Sequence, residues 1–225
     1  FALHFLAVRR RSLRTYFEDP EFRGYITTLA IVIIIVSAAL YLMGVYGNWG
    51  ESIARGLFQA VSIGTTTGFT TADYSLWPGF ISILLLFSSF VGGCAGSTGG
   101  GIKVIRFMLL IKQGVREINR LIHPNAEIPI RIGAKTIPWR IVDAVWGFFA
   151  LYVASFGIMY LALASTGLDL MTSFAAVAAS INNLGPGLAD VGAHYANIND
   201  PAKWILCFAM LLGRLEMLTP AFWRK

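Results

Sequence analysis

Residues 26–45 run for twenty positions without a charge, which is the length a helix needs to cross the hydrocarbon core of a bilayer. The pattern predicts a first span over 24–43. It follows a polar, basic connector (9–23) in which Asp19-Pro20 reads as a turn, and residues 47–50 form the turn on the far side. Residues 52–64 are apolar and small but only about thirteen long, too short to cross; this segment dips in and returns. A polar run follows, Thr65, Thr66, Thr67, Gly68, Phe69, Thr70, Thr71, and then Trp77-Pro78 marks an interface before a second apolar run, 80–91. Six of the ten residues in 92–101 (GGCAGSTGGG) are glycine. A helical pattern resumes over 102–121, carrying Lys103, Arg106, Lys112, Arg116 and Arg120. Irregular backbone at membrane depth is tolerated only where protein buries it or it lines a watery cavity. This helix is therefore expected to be interrupted, with the interruption facing a pathway or, alternatively, serving close helix packing through small residues.

After a basic loop (123–138), the second half repeats the first. Aligning 52–73 (SIARGLFQAVSIGTTTGFTTAD) with 169–190 (DLMTSFAAVAASINNLGPGLAD) at a constant offset of 117 puts Gly68 on Gly185, Ala72 on Ala189 and Asp73 on Asp190. The same offset carries the first span onto 141–162. Trp77 and Trp204 then open the two closing helices, with ten extra residues in the second outer loop. Each half reads as span, short re-entrant helix, polar glycine loop, span.

Composition agrees with a membrane chain. Of 225 residues, 56% are hydrophobic and 13% charged, with a mean hydropathy of +0.65, too apolar for an ordinary soluble domain. The net charge of +6 does not indicate nucleic acid: eight of the eighteen Lys and Arg lie in 103–140 and five in 9–23. Basic residues collected in loops beside apolar spans mark the cytoplasmic side, so both termini are expected there. The N-terminal FALHFLAVRRR has its apolar run before its charges, unlike a signal peptide, and reads as the tail of a preceding helix. Cys94 and Cys207 are expected as small core residues.

The short helices end deep in the membrane, where a helix C-terminus is partially negative and favours a cation. The loops that follow carry few long side chains, so their carbonyl oxygens can replace the hydration shell of an ion, and the central glycine permits backbone angles other residues resist. Arg214 falls well inside the last apolar stretch. An unpaired charge there costs at least about 2.5 kcal/mol, so it faces a cavity, finds a partner or snorkels to the surface. Glu216 is the nearest acid but points to another helix face. Facing the pore axis, Arg214 would be a repulsive barrier below the loops. Asp73 and Asp190 either concentrate cations at an outer mouth or cap the outer loops. His4, His123 and His194 are scattered, no HExxH or Ser/His/Asp set occurs, and Lys103 comes one residue late for a nucleotide P-loop, so an enzyme is disfavoured.

GTTTGFTT, GGCAGSTGGGIK, and INNLGPG followed by GRLE resemble the third and fourth pore repeats of the Trk/Ktr/HKT superfamily of cation transporters, and most of all bacterial Trk-type potassium-uptake membrane subunits. The resemblance implies an all-α membrane protein built of K⁺-channel-like M1-P-M2 repeats with re-entrant pore helices, two present here of an expected four. Its implied organisation is a connector ending a preceding helix (1–23), one repeat (24–121) with an intramembrane loop (92–101), a cytoplasmic loop (122–140) and a second repeat (141–225). Carried over by position, the filter carbonyls fall on Thr66, Thr67, Gly68 and Phe69 and on Asn183, Leu184, Gly185 and Pro186. The gate falls on Gly92, Gly93, Gly96, Gly99, Gly100, Gly101 and Arg214. The implied function is potassium uptake across the bacterial inner membrane, with K⁺ as transported ion and no covalently bound cofactor; the alternative is a non-conducting partial protein that only assembles with others. The implied partners are the bilayer, a missing N-terminal half of the pore, a second copy forming a homodimer, and cytosolic nucleotide-binding regulatory subunits docking on the basic residues of 103–140.

Overall fold

The computed structural model describes residues 14–123, 126, 128–133 and 135–215, together with residues 5, 8 and 9. A short helix α1 (Arg14–Glu18) leads into α2 (Pro20–Leu42), which starts four residues earlier than its apolar run suggests. Asp19, expected as a turn, is the cap: its Oδ1 accepts from the Phe22 N–H at 2.9 Å, and Pro20 at the first helical position forgoes an N–H that would be unpaired anyway. The 23 residues of α2 span about 35 Å, enough for a bilayer core. Ile26, Ile31, Ile34, Ile35 and Leu42 face outward, whereas Val32, Val36, Ser37 and Leu40 are buried.

The buried stripe of α2 packs on α3 (Trp49–Gly64), which begins three residues before the expected 52 because Asn48 accepts from the Gly50 N–H at 2.9 Å. Gly56 sets this contact, since a Cβ there would lie 2.7 Å from Ser37 Oγ and 3.2 Å from its backbone. At 16 residues, about 24 Å, α3 cannot cross. Next come a 3-10 turn (Tyr74–Leu76), α4 (Gly79–Ser88) and, beyond the glycine segment, α5 (Val104–Ile122). The basic loop, expected without regular structure, contains a small antiparallel hairpin of β1 (Arg131–Ile132) and β2 (Lys135–Thr136), with Arg131 opposite Thr136 and Ile132 opposite Lys135.

The second half runs α6 (Trp139–Ala164), α7 (Leu170–Ile181), a 3-10 turn (Ala189–Val191) and α8 (Asp200–Leu215). At 26 residues, α6 is the second helix long and apolar enough to cross a membrane. Most of it faces outward, through Leu151, Val153, Ile158 and Leu161 among others. The short helix α7 sits at the centre: Ala175, Ala176, Val177, Ala178 and Ala179 are wholly buried, in one cluster with Ile63, Ile81, Leu85, Leu86, Leu163 and Leu206. Its small side chains let three neighbouring elements close on it. A satellite cluster of Leu109, Ile130, Val142 and Val145 ties α5 and the hairpin loop to the start of α6.

The halves match where the pore-side helices end, α3 at Gly64 and α7 at Ile181, which are 117 positions apart. They differ in the closing helix: α4 stops after 10 residues at the glycine segment, whereas α8 continues for 16. Cys207, expected in the core, is exposed instead, and Cys94 is half-buried; both are free thiols.

Candidate functional site

The loops after α3 and α7 leave their helices by the same route. Thr65, Thr66 and Thr67 donate to Val61, Ile63 and Ser62 carbonyls at 2.9, 3.0 and 2.8 Å. Asn182, Asn183 and Leu184 donate to Ala178, Ser180 and Ala179 at 3.2, 3.0 and 2.8 Å, the same donors and acceptors shifted by 117. The backbone angles repeat too. Thr66 and Asn183 have φ of 55° and 51°, and Gly68 and Gly185 have φ of 81° and 100°. Asparagine visits this left-handed region readily; β-branched threonine does not. Thr66 is held there by its own hydroxyl, which donates to Thr65 O at 2.7 Å and accepts from the Gly100 N–H at 2.8 Å.

The two loops touch. A Cβ on Gly68 would overlap the Leu184 carbonyl oxygen and lie 3.3 Å from Pro186 Cδ, so only glycine allows this approach. Gly185 faces the opposite situation, with no atom within 4 Å of where its Cβ would be.

The eight residues expected to offer carbonyls divide into two groups. Among the described residues, the carbonyls of Thr66, Thr67, Gly68, Asn183 and Leu184 accept no hydrogen bond. The other three are engaged: Phe69 O accepts from Ser62 Oγ at 2.6 Å, Gly185 O from Tyr195 Oη at 2.7 Å, and Pro186 O from Tyr74 Oη at 3.1 Å. The Phe69 side chain is 71% exposed. Burial pushes the Tyr195 phenol up to about 12 and raises that of Tyr74 as well, so both hydroxyls remain donors at neutral pH.

Below the loops, residues 92–101 form a closed turn. Gly92 donates to Ile102 O at 2.8 Å and Ile102 to Phe90 O at 2.9 Å, bridging Val91 to Ile102 at its base. Its crest presses on the second loop: a Cβ on Gly100 would overlap Asn182 O and lie 2.6 Å from Asn182 C. Backbone at this depth needs partners, and charged side chains supply them. Arg214 Nη1 donates to Thr98 O at 2.8 Å, Lys103 Nζ to Ser97 O at 3.1 Å and to Gly99 O, and the Glu21 carboxylate accepts from the Ala95 N–H. The same contacts explain how ionic groups are accommodated there: each is bonded to a main-chain group of this loop. Glu216, weighed from the sequence as a partner of Arg214, lies outside the described residues, as do residues 216–225 generally; the described partner of Arg214 is a carbonyl.

Asp73 is exposed, and its Oδ1 caps the 3-10 turn by accepting from Ser75 N–H at 3.0 Å. Asp190, its sequence equivalent, is exposed inside the second 3-10 turn. Among the described residues, no group of three or more His, Cys, Asp or Glu side chains gathers to hold a metal ion; the site's donors are main-chain oxygens.

Several residues that the sequence pattern did not single out bear on the site. Asn182 is wholly buried; its Oδ1 accepts from Tyr152 Oη at 2.6 Å and its Nδ2 donates to Ser89 Oγ at 3.0 Å, fixing the second loop to α6 and to the end of α4. A Cβ on Gly213 would lie 2.6 Å from Asn183 Nδ2 and 2.9 Å from Ile181 C, so α8 also packs directly on this loop. The polar Asn pair was visible in the sequence, but its partners, 30 and 93 residues away, were not.

A family model described as TrkH, a cation transport protein, matches residues 5–225. The Trk system potassium uptake protein TrkH of Halomonas elongata is 50% identical over 231 residues, covering 100% of this chain and 48% of that protein. The protein of the same description from Escherichia coli (strain K12) is 48% identical with the same coverage. The crystal structure of the potassium transporter TrkH from Vibrio parahaemolyticus superposes with a TM-score of 0.91 at 47% identity, over 100% of this chain and 48% of that one. The chain spans about half the length of the curated relatives it matches.

Proposed function

The chain belongs to the TrkH family of cation transport proteins, and on that premise we propose that it forms two of the four pore repeats of a potassium-uptake subunit in the bacterial inner membrane. The observation that carries this reading is the pair of equivalent loops, side by side at Gly68 and Leu184, with five carbonyls that no described residue bonds, at Thr66, Thr67, Gly68, Asn183 and Leu184. Oxygens held by a rigid scaffold and spared from internal bonding are free to replace the water of a potassium ion. They sit where two helix C-termini converge, which adds partial negative charge. No covalent chemistry is required.

Two loops enclose half of an ion. The open space beside Gly185 leaves room for a further loop, and an N-terminal half carrying the other two repeats completes the ring. The chain alone is then expected not to conduct. Residues 92–101, bonded to Arg214, Lys103 and Glu21, act as the gate beneath the filter, and the exposed Asp73 and Asp190 lie at the outer mouth. A second copy and cytosolic nucleotide-binding subunits complete the assembly, the latter docking on the basic face that includes the exposed Lys112 and Arg120 of α5.

The test is potassium-limited growth of an uptake-deficient bacterium carrying the full gene product. Rescue is expected, with Gly68→Ser lowering the preference for K⁺ over Na⁺. Failure of the full product to support growth, or unchanged discrimination in the variant, would overturn the reading.

A further inference from the structure

The two loops share a backbone but not their braces. In the first, Phe69 O is held by Ser62 Oγ, from the helix that feeds the loop. The equivalent position in the second half is Ala179, which has no hydroxyl. The second loop takes its braces from elsewhere. Tyr195, in the longer outer loop, donates to Gly185 O at 2.7 Å. Tyr74, from the first repeat, crosses to donate to Gly187 O at 2.5 Å and Pro186 O at 3.1 Å. Among the described residues, no tyrosine of the second repeat reciprocates to the first repeat's 66–69 loop, and position 191, equivalent to Tyr74, is valine. Tyr74 is itself fixed: it is 1% exposed, and its carbonyl accepts from Ser82 Oγ at 2.6 Å.

We propose that Tyr74 and Tyr195 are positioning residues for cation selectivity, holding the three consecutive carbonyls 185–187 so that the second loop cannot close around an ion smaller than potassium. This inference rests on the reading of these loops as a potassium filter. Sodium, being smaller, is well coordinated only if carbonyls rotate inward. Rotation here breaks a hydrogen bond and, at the wholly buried Tyr74, leaves the phenol unsatisfied, and these penalties fall on sodium rather than on the ion that fits the resting geometry. Phenols are protonated across the physiological pH range and burial only raises their pKa further, so the brace persists throughout it. The asymmetry also accounts for the longer second outer loop, which supplies Tyr195.

The experiment compares Rb⁺ and Na⁺ fluxes of the full gene product in proteoliposomes for the wild type, Tyr195→Phe, Tyr74→Phe and the distant, exposed Tyr41→Phe. Phenylalanine keeps the ring and its packing, and thermal unfolding in detergent reports any loss of folded protein. The expected result is a K⁺/Na⁺ preference lowered about five- to tenfold in each filter variant, through a rise in Na⁺ flux that exceeds any change in Rb⁺ flux, with Tyr41→Phe unaltered. A selective wild type with unchanged ratios in both filter variants overturns the inference, and so does a parallel fall of both fluxes, which would mean a purely structural role. A wild type that does not discriminate overturns the filter reading itself, so the two failures are distinguishable.

Discussion

Adjacent glycines in the 92–101 loop are expected to respond oppositely to one added methyl group. At Gly99, a Cβ would meet Thr66 Oγ1 at 3.4 Å and Thr65 O at 3.5 Å, ordinary contact distances. At Gly100 it would overlap Asn182 O and come within 2.6 Å of Asn182 C. Restoring normal contact with Asn182 O requires the two loops to separate by more than an ångström, and overpacking of this kind costs about 1–3 kcal/mol. Separation also strains the bond from Gly100 N–H to Thr66 Oγ1, worth about 1 kcal/mol. Gly100→Ala is therefore destabilising by about 2–4 kcal/mol, while Gly99→Ala stays within about 0.5 kcal/mol, as for ordinary substitutions away from special features. The displaced peptide is the one joining Asn182 to Asn183, so the disturbance is passed to Asn183, the residue whose carbonyl comes next in the second loop. Thermal unfolding of the purified full gene product and Rb⁺ uptake into proteoliposomes read the two consequences. A lowered midpoint with flux reduced about tenfold, as a barrier change near 1.4 kcal/mol gives, is expected for Gly100→Ala alone. Equal behaviour of the two variants, in either direction, would refute the packing argument.

Three further outcomes follow from single contacts. Arg214→Ala removes the charged donor to Thr98 O at 2.8 Å and should raise flux in the unstimulated protein; unaltered flux would deny Arg214 a part in closure. Asn182→Ala removes the buried amide that accepts from the half-buried Tyr152 Oη and donates to the buried Ser89 Oγ and should cost about 1–3 kcal/mol in thermal or denaturant unfolding, with a less-than-additive loss when combined with Tyr152→Phe. The Tyr195 phenol, lifted from 10.0 to about 12 by burial, binds its proton more tightly when folded. Its contribution to stability is complete below pH 10 and lost as pH rises through about 12. Stability measured against pH should therefore fall more steeply over that window in the wild type than in Tyr195→Phe, and identical profiles would contradict a partly buried, bonded phenol.

Hydropathy alone located the long helices because a bilayer imposes a length and an apolarity that few other environments demand. It misjudged their ends, since Asp19 and Asn48 act through capping bonds that the apolar pattern does not register. The 117-residue repeat located both polar glycine loops, and the shared angles at Thr66 and Asn183 and at Gly68 and Gly185 follow from the same local sequence logic: a short helix, a polar residue able to turn left-handed, and a glycine.

Local sequence thus determined the elements, their repetition and the glycines on which the loops turn, because each depends on residues a few positions apart. Only the tertiary structure decided which carbonyls remain free and which are taken, that Tyr74 serves the other repeat's loop, that Asn182 gathers Tyr152 and Ser89, and that Arg214 meets Thr98. Those partners lie between 30 and 116 residues apart. No periodicity links them, and they meet only because burying α7 among its neighbours brings four distant segments to one place.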